Sequence, residues 1–316
     1  MFPQITLLVL SQYLILSSSQ NLSVPIEKLT DNQIIVPRVV NGKTATVHDV
    51  PYQISFKKRS SYFGLEYTSF CGGTLLKPRK ILSAAHCFEE KLLCKPCSSV
   101  VVVPEKKRKR IMAVAGNLKN KDSMRWFSRN TGQWRELRKI MYPSSYEFPV
   151  DDIALAFTYY KFRLDSTVKT IPYAATHEDY KGTCRISGFG RTSDTSVSAI
   201  LLYADVEVIS SSQCTKMHKR RMSKFICTSD LVSDVHKGDS GGPLVCNNSL
   251  VGVVSGNRPK VGSFFTRVSA YKDFIEKPEL NREAIKQCAY NRLRQRRKNI
   301  SNNLNGSKAT VAIEYS

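Results

Sequence analysis

Runs of β-branched and aromatic residues, each only a few residues long and fenced by turn formers, recur through the middle of the chain at 52–56, 81–85, 111–115, 202–209, 250–254 and 264–268. Runs of this length and spacing predict an all-β barrel or sandwich. Within 202–209, Leu202, Ala204, Val206 and Val208 alternate with Tyr203, Asp205, Glu207 and Ile209, so one face of that strand is predicted to be mostly apolar. Helical periodicity comes only late. Residues 269–276 suit a short helix that Lys277-Pro278 interrupts, and Leu280, Ala284, Ile285, Cys288, Ala289 and Leu293 then recur on one helical face. Past Asn299 the chain is rich in Asn and Ser and is expected to be disordered.

An apolar stretch from Ile5 to Leu16 precedes Ser17-Ser18-Ser19, which suits a signal peptide over residues 1–19 with cleavage after Ser19. That stretch is too short to span a bilayer, which takes roughly 20 residues. No later segment is apolar enough to do so, and the expected product is secreted, extracellular and not membrane-bound. Nine cysteines fit an oxidising compartment, and sequons at Asn21, Asn247, Asn299 and Asn305 are compatible with a glycoprotein. Against 26 Asp and Glu stand 48 Lys and Arg, a surplus of 22. Residues 1–38 carry Glu27 and Asp31 against Lys28 and Arg38, so that surplus belongs to the remainder of the chain. It concentrates at 106–110, 216–224 and 292–298. Such runs read either as solvated loops or as a footprint for polyanions such as sulfated glycans or acidic protein surfaces.

Reactive chemistry is concentrated in a few short segments. Lys237-Gly238-Asp239-Ser240-Gly241-Gly242-Pro243 sets one hydroxyl among glycines beside a carboxylate, a layout that suits a nucleophile. Upstream, Ala84-Ala85-His86-Cys87 offers an imidazole and Asp152-Ile153-Ala154-Leu155 a carboxylate entering an apolar run. Before both, Pro37-Arg38-Val39-Val40-Asn41-Gly42 places a basic residue ahead of an aliphatic one. Singly, these could be a core histidine, a loop acid and a glycine turn. In this order and spacing they resemble a trypsin-like serine endopeptidase of the chymotrypsin family, made as a zymogen.

The resemblance covers roughly residues 39–276 and implies two packed six-stranded antiparallel β-barrels with a short helix at the carboxyl end. It implies a propeptide over 20–38 and leaves 277–316 as a basic extension, partly helical, outside the family core. By the same resemblance Ser240 is the nucleophile, His86 the general base and acid, and Asp152, chosen over Asp151 because it directly precedes the Ile-Ala-Leu run, the residue that orients His86. The N–H groups of Gly238 and Ser240 would form the oxyanion hole. Cleavage after Arg38 would free the amine of Val39 to pair with Asp239. Asp234 would sit at the base of the primary pocket and favour Lys or Arg, with Ser255 beginning the strand that pairs with substrate. The implied disulfides are Cys71–Cys87, Cys184–Cys246 and Cys214–Cys227. Cys94 and Cys97, in a long inserted loop, and Cys288 remain; one loop cysteine is expected to bond Cys288. No cofactor or metal motif is evident, the loop after Ala115 being basic, unlike the calcium loops of some relatives. The implied partners are protein or peptide substrates, an activating trypsin-like protease and serpin-type or other protease inhibitors.

Two departures from the family pattern stand out. His236 occupies a position that often holds a cysteine, and the segment after Ser255 is short and begins with Gly256 where a Trp normally follows. They support an alternative: a weakly active or non-catalytic homologue acting as a binding partner or cascade cofactor.

Overall fold

A computed structural model describes residues 42–60, 66–89, 98–123, 132–190, 197–229, 238–258, 261–278 and 294. Arg38, Val39, Cys94, Cys97, Asp234, His236 and Cys288 lie outside the described residues, as do the segments expected to be signal peptide and propeptide. The elements that position the site are strands β1 (Lys43–Thr44), β2 (Gln53–Arg59), β3 (Glu66–Lys77), β4 (Lys80–Ser83), β5 (Val100–Val102), β6 (Ile111–Ala115), β7 (Lys121–Ser123), β8 (Gln133–Pro143) and β9 (Ala154–Thr158) in the first half. They are followed by β10 (Gly182–Gly188), β11 (Leu202–Ile209), β12 (Phe225–Thr228), β13 (Pro243–Cys246), β14 (Ser249–Arg258) and β15 (Gly262–Arg267).

Two closed six-stranded antiparallel barrels result. In the first, the order β2-β6-β8-β9-β4-β3 closes where β3 pairs back onto β2, with β5 on β8 and β7 on β3. In the second, β11-β10-β13-β14-β15-β12 closes through β12 and β11, and β1 adds to β11. Closure satisfies the backbone groups an open edge would leave exposed. The first barrel is filled by Ile54, Phe56, Leu75, Ile81, Leu155 and their neighbours, the second by Ile186, Val206, Val208, Leu244 and Phe265. β11 alternates as its sequence predicts, with Leu202, Ala204, Val206 and Val208 buried. The run at 81–85 is shorter as a strand: β4 ends at Ser83, and Ala85–Cys87 form a 3-10 turn. Ala84 and Ala85 stay buried through that turn, so hydrophobicity reads on past the strand's end.

At the carboxyl end a 3-10 turn, Val268–Tyr271, runs into a helix, Lys272–Glu276, pinned by buried Ile275. The helix Ser211–His218 departs from the expectation that helical structure comes only late in the chain. Its signal is the Ser210-x-x-Gln213 capping box: Ser210 Oγ accepts from Gln213 N and Gln213 Oε1 accepts from Ser210 N. Disulfides join Cys71 to Cys87, Cys184 to Cys246 and Cys214 to Cys227. Each stabilises by about 2–4 kcal/mol through the unfolded chain. No described helix is long and apolar enough to cross a membrane.

Candidate active site

The 3-10 turn after β4 carries His86, and the loop entering β9 carries Asp152. Asp152 is fully buried, and its carboxylate is surrounded by donors. Oδ1 accepts from the His86 main-chain N–H at 2.9 Å, while Oδ2 accepts from His86 Nδ1 at 2.8 Å and from Ser255 Oγ at 2.5 Å. Its own carbonyl accepts from Thr266 Oγ1 at 2.8 Å, so β14 and β15 of the second barrel hold an acid delivered by the first. A carboxylate only accepts, which places the imidazole proton on Nδ1 and leaves Nε2 as the basic nitrogen.

Asp151, the other acid of the pair, is turned away. Its backbone is left-handed at φ 54°, and its carboxylate takes bonds from Ser145 Oγ (2.6 Å), Lys224 Nζ (2.7 Å) and Tyr271 Oη (2.8 Å). Burial pushes that carboxyl up, but these hydrogen bonds and the Lys224 charge overcome it and hold it below the ordinary value.

The Ser240 segment is clamped between the barrels. Ser240 O accepts from Gly72 N–H at 2.7 Å and lies 3.8 Å from Cys87 Sγ, while Gly241 N–H donates to Val254 O at 2.8 Å. Gly241 has φ +78°, and a Cβ there would lie 2.3 Å from Ser83 Oγ, so only glycine lets this turn approach the His86 strand. Ser240 is thereby seated beside the disulfide that pins the His86 turn. Among the described residues no hydrogen bond joins the Ser240 hydroxyl to the imidazole; such bonds are often long until substrate binds. Next to it, Asp239 is buried, and its Oδ1 accepts from Gly190 N–H at 2.7 Å. A Cβ on Gly188 or Gly190 would fall 2.1 or 2.0 Å from that carboxylate, so both glycines shape its seat.

The family model for trypsin matches residues 39–275. The chain belongs to the trypsin family. Trypsin I-P1 of Gallus gallus is 31% identical over 229 residues, covering 69% of this chain and 78% of that protein. A trypsin of Xenopus laevis is 27% identical over 225 residues, covering 69% and 79%. Among solved structures, human heparin binding protein superposes with a TM-score of 0.58 at 23% identity, covering 75% of this chain and 94% of that one. Neuropsin, a serine protease expressed in the limbic system of mouse brain, gives 0.58 at 22%, covering 75% and 98%. These two share the fold.

In this trypsin-family chain the glycine after Ser255 is covered. A Cβ on Gly256 would lie 2.8 Å from Phe264 Cζ and 3.3 Å from Phe148 Cζ. Phe148 also meets the His86 ring edge to face at 5.8 Å and is 53% exposed. Two aromatic rings therefore occupy the space of a side chain at 256, one of them bordering the imidazole. Ser255 directs its hydroxyl into the Asp152 network rather than toward solvent.

Behind the site, fully buried Lys57 donates to Asn117 Oδ1 (3.3 Å), to Lys119 O and to Asn120 O (2.9 Å), with its ammonium 5.6 Å from the Phe189 ring centre. Phe189 lies between the two glycines that seat Asp239. Two histidine–cysteine groups, Cys71-His86-Cys87 and Cys214-His218-Cys227, have a metal-like clustering, but their sulfurs are consumed in disulfides.

Proposed function

We propose that this chain is a secreted serine endopeptidase that hydrolyses peptide bonds after Arg or Lys and becomes active once it is cut after Arg38. The observation that carries the reading is the buried Asp152 carboxylate, bonded at once to the His86 ring and main chain while Ser255 donates to the same oxygen as the ring. That arrangement fixes the imidazole so that Nε2 takes the Ser240 proton as its oxygen attacks the scissile carbonyl. The acyl-enzyme forms on Ser240, and the same nitrogen passes the proton to the departing amine. Negative charge on the carbonyl oxygen is assigned to the N–H groups of Gly238 and Ser240; Gly238, at φ +113°, has a backbone only glycine adopts easily.

Substrate residues before the cut are assigned to the β14 side, where Asp234 would match a basic side chain. The amine released at Val39 would pair with Asp239, whose seat is built by Gly188 and Gly190. Chain activated at Arg38 is expected to hydrolyse Arg and Lys esters and to be labelled at Ser240 by an organophosphonate, with both lost in Ser240→Ala. Activated protein that does neither would leave the weakly active or non-catalytic homologue as the better reading. The missing Trp favours that second reading, but Phe148 and Phe264 supply aromatic surface in its place. As partners, protease inhibitors of the serpin type suit the same site, and a polyanion such as a sulfated glycan suits the surplus of 22 positive charges. Unchanged heparin retention after charge reversal at Arg108 and Arg296 would remove the glycan.

A further inference from the structure

The nucleophile's segment has two different flanks. Gly241 N–H bonds Val254 O on β14, whereas Ser240 O bonds Gly72 N–H on β3. With substrate residues before the cut assigned to β14, as proposed above, the residues after it are assigned to the opposite flank, over β3 and the Cys71–Cys87 disulfide. That flank carries a cluster of cations. Phe70, just before Cys71, and Phe88, just after Cys87, meet edge to face at 6.3 Å. The exposed Lys58 holds its ammonium 4.1 Å over the Phe70 ring. On the other ring's residue, Lys107 Nζ donates to Phe88 O at 3.0 Å and to Glu89 O at 2.5 Å. Strand pairing sets Lys58 opposite Ile111, directly after exposed Arg110.

These cations feel one another: burial first, then the charges of Lys107 and Arg110, pull the Lys58 ammonium below its ordinary value. The nearby acid Glu105 is engaged by Lys109 at 2.8 Å and Arg108 at 3.8 Å. Like charges held together beside a peptide-binding groove are relieved by an anion arriving with the peptide, and such complementarity sets specificity more than raw affinity.

We infer that Lys58 and Arg110 form a leaving-side specificity surface that selects substrates bearing Asp or Glu shortly after the scissile bond. The inference rests on the proteolytic reading, and the test separates the two. Internally quenched peptides with Arg before the cut and either Glu-Glu or Gln-Gln after it are compared by kcat/KM. Each value is divided by the same protein's value for an Arg ester, which has no residue after the cut. The acidic peptide is expected to lead by about tenfold at low ionic strength, with the lead shrinking in about 0.5 M salt. It should vanish in Lys58→Glu and Arg110→Glu. Equal ratios for the two peptides, or a lead that survives charge reversal, overturn the inference.

A chain that hydrolyses no Arg ester sinks the proteolytic reading instead. The surface is then judged by fluorescence anisotropy of the labelled acidic peptide on full-length Ser240→Ala protein. Tighter binding of the Glu-Glu peptide that is lost on Lys58→Glu supports it. Equal binding of both peptides overturns it, as does a surface that binds a heparin oligosaccharide without discriminating between them.

Discussion

Replacing Lys57 by Met gives a pH-dependent difference in stability whose size and sign follow from the structure. Burial pulls the Lys57 ammonium from its ordinary 10.5 down to about 8, with Asp122 opposing. That gap corresponds to about 3 kcal/mol. The folded-state pKa lies below the unfolded one. Below pH about 8 both states hold the proton and the full cost of burying the charge is present; between about 8 and 10.5 the unfolded chain holds more protons, so stability rises with pH. The Met variant lacks this titration, although it removes one donor each from Asn117 Oδ1, Lys119 O and Asn120 O, a penalty that does not vary with pH. The wild-type chain should therefore gain about 3 kcal/mol on the variant between about pH 7 and pH 10.5. In melting temperature this is about 6–12 °C for a fold of this size. Paired thermal melts across that range, disulfides intact, measure the difference directly. A constant offset between the two proteins would refute the reasoning, because it would mean that Lys57 keeps its proton as firmly when buried as when exposed.

Other substitutions probe the site more locally. Gly190→Ala puts a Cβ 2.0 Å from Asp239 Oδ2, so protein with Val39 verified as its amino terminus should still lose about 100-fold or more in ester hydrolysis; full activity would detach Asp239 from the oxyanion segment. Gly256→Trp collides with Phe264 and Phe148 and should destabilise by about 1–3 kcal/mol, with Phe148→Ala and Phe264→Val together restoring the melting temperature. An unchanged melting temperature in the single variant would contradict the packing of those rings. Asp151→Asn should cost about 1–3 kcal/mol at neutral pH. Because its folded pKa is lowered, that contribution is present above the ordinary carboxylate range and fades as pH falls through the folded value, so the gap between wild type and variant should close in acid and denaturation curves should converge there.

Much of the site was legible because its chemistry is local: Ala84-Ala85-His86-Cys87 and the Gly-Asp-Ser-Gly-Gly turn carry residues whose neighbours in sequence are also their neighbours in space. Alternation likewise gave β11, since one face meets the barrel core along its whole length. Lys57 escaped for a definite reason. Alternation sets it on the face of β2 opposite Ile54 and Phe56, as expected, but that face is buried too, because Asn117, Lys119 and Asn120 lie over it and accept the ammonium's hydrogen bonds. The cover over Gly256 escaped for another: Phe148 and Phe264 are more than a hundred residues apart in sequence and meet only when the two barrels pack, their ring centres 6.4 Å apart. Read by sequence position, Gly256 is a lost aromatic. In space it is the clearance that lets two other aromatic rings stand there, one of them against His86. Loss of the family aromatic therefore leaves no void beside the Gly256 backbone, because Phe264 and Phe148 close that space from the two barrels.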